Sequence, residues 1–122
     1  MVSKFHFKFE DLIMYQKALD FADFVNEQII TFPKEETYRL ASQFIKAADS
    51  IALNIAEGSS STKPNFNRYL QIAWDSAHEC AVCSTKAKRR GFIDGVTDEK
   101  NREWVTELSK MITSYKKYLN KK

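Results

Sequence analysis

The chain has little glycine, proline or cysteine, and no long apolar run. Three glycines and two prolines among 122 residues exclude a collagen-like or low-complexity polymer. With 43% hydrophobic residues, it has enough apolar side chains to build a core. No stretch approaches the ~20 apolar residues of a membrane helix, and the opening Met1-Val2-Ser3-Lys4-Phe5-His6-Phe7-Lys8 lacks the apolar segment of a secretion signal. The length suits a single domain, expected to be cytoplasmic.

The two cysteines form Cys80-Ala81-Val82-Cys83. A redox dithiol needs a thiol pKa lowered by a helix N-terminus or a cation, and this pair falls in the middle of a helical pattern. Zinc needs four ligands, and only His6 and His78 remain to supplement the thiols. His78, between polar neighbours, reads as solvated. Buried small residues are the better account of the pair, with no metal or other cofactor expected. Also missing are a repeated Glu-x-x-His for a di-iron bundle, a Gly-rich phosphate loop and a nucleophile elbow. An enzyme is not expected.

What the sequence does contain is helical periodicity. Helix one is expected from about Glu10 to Thr31, with Leu12, Tyr15, Leu19, Ala22, Val25 and Ile29 inward. Phe32-Pro33 ends it, because proline lacks an N–H and restricts the residue before it. Helix two restarts near Lys34 or Glu35, buries Leu40, Phe44, Ala47, Ile51 and Ile55, and stops at Gly58. Thr62 caps helix three, with Pro64 in its first turn. That helix runs to Arg90 with Phe66, Leu70, Ala73, Ala77, Cys80, Ser84 and Ala87 inward, and Gly91 closes it. Thr97 is the expected cap of helix four, which reaches about Asn120 with Trp104, Leu108, Met111, Ile112, Tyr115 and Leu119 inward. Long helices on short connections pack as antiparallel neighbours. The fold class is therefore all-α, an up-down-up-down four-helix bundle.

Polar residues interrupt this pattern in one place. Gln43, Ser50, Asn54 and Glu57 share one side of helix two, where Ala47 leaves room for another backbone. With Ser76 and Glu79 of helix three they are expected to form a structural polar seam, within a subunit or between subunits. A buried polar group left unpaired costs ~1 to 3 kcal/mol, so such a seam fixes register. Apolar residues also lie off the inward stripes: Ile13, Phe21 and Phe24 on helix one, and Tyr69, Ile72 and Trp74 on helix three. Exposed together they would form an adhesive patch. Self-association is expected.

Charge is uneven along the chain. Residues 1 to 85 carry 8 basic and 11 acidic side chains, a balance of −3, whereas residues 86 to 122 carry 11 basic and 5 acidic, a balance of +6. Lys86, Lys88, Arg89 and Arg90 crowd the end of helix three, and Lys116, Lys117, Lys121 and Lys122 the end of helix four. Cations at helix C-termini are favoured by the dipole alone, by ~0.3 to 1 kcal/mol each. They are also where an anionic partner such as RNA or DNA would bind.

The run Ser50-Ile51 followed by Asn54-Ile55-Ala56-Glu57-Gly58 resembles the signature of the 23S rRNA intervening sequence protein family, also called four helix bundle proteins. Flanking agreement covers Phe9-Glu10-Asp11-Leu12, Tyr15-Gln16-Lys17-Ala18, Phe32-Pro33 with Glu36 and Tyr38, then Phe66, Tyr69-Leu70, Ile72-Ala73, Ser76-Ala77 and Glu79. Asp75 replaces the family's usual glycine, Ile45 a frequent arginine and Asn65 an acidic residue. The resemblance implies a homo-oligomer, a homopentamer with helices lining a central opening. It also implies similarity to the accessory proteins of diversity-generating retroelements. Two functions are therefore expected in order: a non-enzymatic oligomeric scaffold binding nucleic acid through Lys86, Lys88, Arg89, Arg90, Lys116 and Lys117, and a protein-binding adaptor, for example an accessory subunit of a reverse transcriptase.

Overall fold

The structure, a computed structural model, describes residues 2–121. Four α-helices follow one another: α1 (Ile13–Ile29), α2 (Leu40–Ser59), α3 (Lys63–Arg89) and α4 (Gly95–Leu119). Among the described residues there is no strand, and no helix is long and apolar enough to cross a membrane. Cross-helix contacts fix the directions. Ser50 meets Ser76 while Gly58 faces Phe66, so α2 and α3 are antiparallel. Asn67 meets Asn120 while Thr85 meets Arg102, so α3 and α4 are too. Gln28 meets Asn101 and Lys17 meets Glu107, which makes α1 antiparallel to α4 and hence to α2. The result is the expected up-down-up-down bundle, with its most extensive contact between α2 and α3.

The inward stripes of α2 and α3 are as the periodicity predicts. Phe44, Ile51, Ile55, Leu70, Ala73, Ala77 and Cys80 are wholly buried, and each large one contributes ~1.5 to 3 kcal/mol through burial. Helix α1 is rotated from its expected face. Leu19, expected inside, is 42% exposed, whereas Phe21, expected outside, is wholly buried and stacks on Trp104 at 6.0 Å. The face in contact runs through Met14, Ala18, Phe21, Ala22, Val25 and Gln28. Spacing alone cannot choose between two apolar stripes on one helix; packing against α2 does, with α4 closing over Phe21.

Four helix ends differ from expectation, each for a local reason. A 3-10 turn over Lys8–Asp11 takes up the expected start of helix one, and Gln16 Nε2 donates to Glu10 O at 2.7 Å to hold it there. A second such turn, Lys34–Glu36, replaces the expected first turn of helix two. Arg39 is non-helical, and the buried Glu36 carboxylate accepts from Leu40 N at 3.4 Å. Gly58 does not stop α2. It lies in the last turn of the helix, at a position where a Cβ would sit 2.7 Å from Tyr69 Cβ and 2.8 Å from Phe66 Cδ1. Asp94, not Thr97, caps α4, accepting from Thr97 N at 2.7 Å. The two ends of α3 match. Thr62 caps α3 by accepting from Asn65 N. Gly91, at φ 78°, closes it with Phe92 N donating to Ala87 O at 2.8 Å and Gly91 N to Lys88 O at 3.0 Å.

Candidate nucleic-acid interface

The last turn of α3 carries Lys86, Lys88 and Arg89, with Arg90 as its cap. Lys88, Arg89 and Arg90 are exposed and Lys86 is half-buried. The connection from α1 to α2 passes beside them and brings in Glu36, a buried carboxylate. Its oxygens lie 3.5 Å from Arg39 Nη1 and 4.0 Å from Arg90 Nη1. Arg90 is thereby drawn toward the neighbouring turn. Lys86, Lys88 and Arg89 make no ion pair among the described residues, which leaves their charge available to a partner.

Beneath this cluster the bundle interior is polar, a feature that sequence reasoning missed. Gln28 and Asn101 exchange amide hydrogen bonds at 2.7 and 2.8 Å across α1 and α4. Asn101 Nδ2 also donates to Ser84 Oγ at 2.9 Å, and Ser84 donates to Asp98 Oδ1 at 2.6 Å. Arg102 Nε donates to Asp98 Oδ2 at 2.9 Å, and its Nη2 reaches Thr85 Oγ1 at 2.6 Å. Asn101 and Ser84 are wholly buried and Asp98 nearly so. Burial is the largest influence on Asp98 and raises its pKa. The hydrogen bonds from Ser84 and Arg102, with the charges of Arg102 and Lys88, together outweigh it and hold the carboxyl below the ordinary value of 3.8. Such a closed network has no polar group left over and specifies how α1, α3 and α4 meet.

The second cluster is at the opposite end of the bundle, as antiparallel α3 and α4 require. Lys116 is half-buried and donates to Gln71 Oε1. Lys117 and Lys121 are exposed; Lys122 lies outside the described residues. The two clusters form separate patches.

The polar seam is smaller than the sequence suggests. Ser76 Oγ donates to Ser50 Oγ at 2.9 Å, and Asn54 Nδ2 donates to Ser50 Oγ at 2.9 Å and to Ser50 O at 2.7 Å. The side chains of Gln43, Glu57 and Glu79 join no hydrogen bond among the described residues. Glu57 and Glu79 are exposed. Cys80 and Cys83 are buried and unpaired with each other. Burial pushes the Cys80 thiol far above the ordinary thiol range; burial first, then the charge of Glu79, raises Cys83 to about 11. Both stay protonated and non-nucleophilic at neutral pH. No group of three or more His, Cys, Asp or Glu among the described residues is placed to hold a metal ion.

Comparison with known proteins adds a family and a fold. No curated protein matches the chain. A crystal structure of a protein of unknown function from Bacteroides thetaiotaomicron, assigned to the S23 ribosomal protein family, superposes with a TM-score of 0.80 at 23% identity. The match covers 86% of this chain and 96% of that one, and at this identity it carries the fold alone. The family model described as 23S rRNA-intervening sequence protein matches residues 10–114, the whole span from the turn before α1 into the last turns of α4. The chain belongs to the 23S rRNA-intervening sequence protein family.

Proposed function

We propose that the protein is a non-enzymatic, self-associating scaffold that binds RNA or another nucleic acid through the basic ends of its bundle. The observation that carries this reading is the exposed pair Lys88 and Arg89 at the end of α3, with Lys86 beside them, none of the three in an ion pair among the described residues. The family's link to intervening sequences of 23S rRNA supports RNA as the first ligand to try. Protonated, buried thiols and solvated Glu57 and Glu79 argue against covalent or acid–base chemistry at the α2/α3 contact. Phosphate contacts of this kind are tolerant of sequence, and repetition around an oligomer makes weak single contacts sufficient.

A second reading is favoured by a different surface. Leu53 on α2 and Ile72 and Val82 on α3 are 57%, 42% and 52% exposed. They support a protein contact, either with another copy of the chain, as in the pentamer that the family resemblance implies, or with a partner such as a reverse transcriptase. Substitution separates the two readings. Lys88→Glu with Arg89→Glu should weaken RNA binding and leave solution mass unchanged, because the exchange reverses charge and keeps Leu53, Ile72 and Val82 in place. Arg90 is left intact in this variant, since its loss would leave Glu36 buried with a weaker partner set. Unaltered RNA affinity in the double variant would contradict the first reading.

A further inference from the structure

At the end of the bundle opposite the α3 cluster, a cleft of about 490 Å³ opens between the turn before α1 and the corner where α3 begins and α4 ends. We propose that this cleft takes one unpaired nucleotide of a single-stranded nucleic acid, with its base against Tyr118 and Tyr115 and its phosphates on Lys8 and Lys63. The inference rests on the nucleic-acid reading above and adds to it a site and a strand preference.

Three rings form a row along the cleft. Phe66 and Tyr115 have centroids 5.3 Å apart, and Tyr115 meets Tyr118 edge to face at 5.4 Å. Phe66 is buried and Tyr115 half-buried, so the inner rings are fixed by the core, while Tyr118 is 63% exposed. A rigid aromatic row with an open end is the form of a base-stacking platform. Exposed Lys8 and Lys63 flank it on two different elements, and Ser61 adds a hydroxyl with no partner among the described residues. Asp11, the acidic residue of the lining, has its carboxylate 2.9 Å from His6 Nε2, a ring that also meets Glu10 at 3.1 Å. An apolar peptide would have no use for the two lysines; a nucleotide uses both kinds of group. The volume lies within the usual range of small-ligand sites, ~300 to 1,000 Å³. A duplex keeps its bases stacked on one another, whereas a single strand can present one to a protein ring.

The test compares binding of a labelled oligouridylate and a blunt RNA duplex of equal length to the full chain at low salt, by fluorescence anisotropy. The single strand should bind more tightly. Tyr118→Ala should weaken it about 5- to 100-fold and leave duplex binding unchanged, with Tyr118→Phe retaining most of the affinity. Because Tyr118 is exposed, the variant should keep the wild-type helical content and melting temperature. Equal affinity for the two RNAs, with no effect of Tyr118→Ala, would overturn the site while leaving the basic-end reading standing. No binding of either RNA would overturn both. A change of solution mass in Tyr118→Ala would assign the cleft to contact between copies of the chain and overturn the nucleotide site.

Discussion

Gly58 and Asp98 show how single residues settle two different helix contacts. At Gly58 the absence of a side chain allows α2 and α3 to touch, with Tyr69 Cβ and Phe66 filling the space. Gly58→Ala gains up to ~1 kcal/mol of helix propensity, but the clash is partly with a Cβ atom, which cannot swing away. Overpacking of this kind costs ~1 to 3 kcal/mol. A lower melting temperature is expected, and an unchanged or raised one would contradict the close contact. Asp98 acts through charge. Its carboxyl titrates below the ordinary 3.8 in the folded protein, so its stabilisation is complete above that value and is lost as pH falls through the folded pKa. Asp98→Asn should therefore be less stable than wild type at neutral pH, by ~1 to 3 kcal/mol for a buried hydrogen bond to a charged group. Urea melts should show this gap narrowing as pH drops below about 3.8. A gap independent of pH would mean that the Arg102 and Ser84 contacts do not favour the ionised form.

At the scale of elements, periodicity revealed the interior wherever one apolar stripe stood alone. Helices α2 and α3 have such stripes, and Phe44, Ile51, Leu70 and Ala77 are buried where the spacing puts them. Helix α1 has two candidate stripes, and the one through Phe21 prevails because α2 packs along it, with Trp104 of α4 stacked on Phe21. Helix starts were harder to read, since several side chains in each segment can cap. Asp94 outcompetes Thr97 because its carboxylate reaches the N–H three residues ahead. Asp94→Ala should cost ~0.5 to 2 kcal/mol, whereas Thr97→Ala keeps the backbone N–H that Asp94 accepts from and should cost less. Equal losses on thermal melting would show that the cap is shared. The Gln28–Asn101–Ser84–Asp98 network was not legible at all. Its members come from three helices, and Gln28 and Asn101 are 73 residues apart, so no local spacing links them. The Ser50–Ser76 contact was legible because both residues interrupt apolar stripes on facing helices. The basic clusters were visible as charge runs, yet the pairing of Arg90 with Glu36 depends on a turn that sequence reasoning had placed inside helix two.

For the molecule as a whole, we propose an assembly of several subunits carrying basic patches at both bundle ends. Leu53 on α2 and Ile72 and Val82 on α3 are among the exposed apolar residues available for it. Light scattering at micromolar protein should give a mass of several times 14.2 kDa, and a monomer throughout that range would contradict self-association. The central claim, that the basic ends bind phosphates, is tested most directly by the salt dependence of RNA affinity. Between about 50 and about 200 mM salt the affinity of the wild-type protein should fall about tenfold or more, as released counterions are no longer an advantage. Lys88→Glu with Arg89→Glu should flatten that slope. No RNA binding at the lower salt, or an affinity indifferent to salt, would contradict the account.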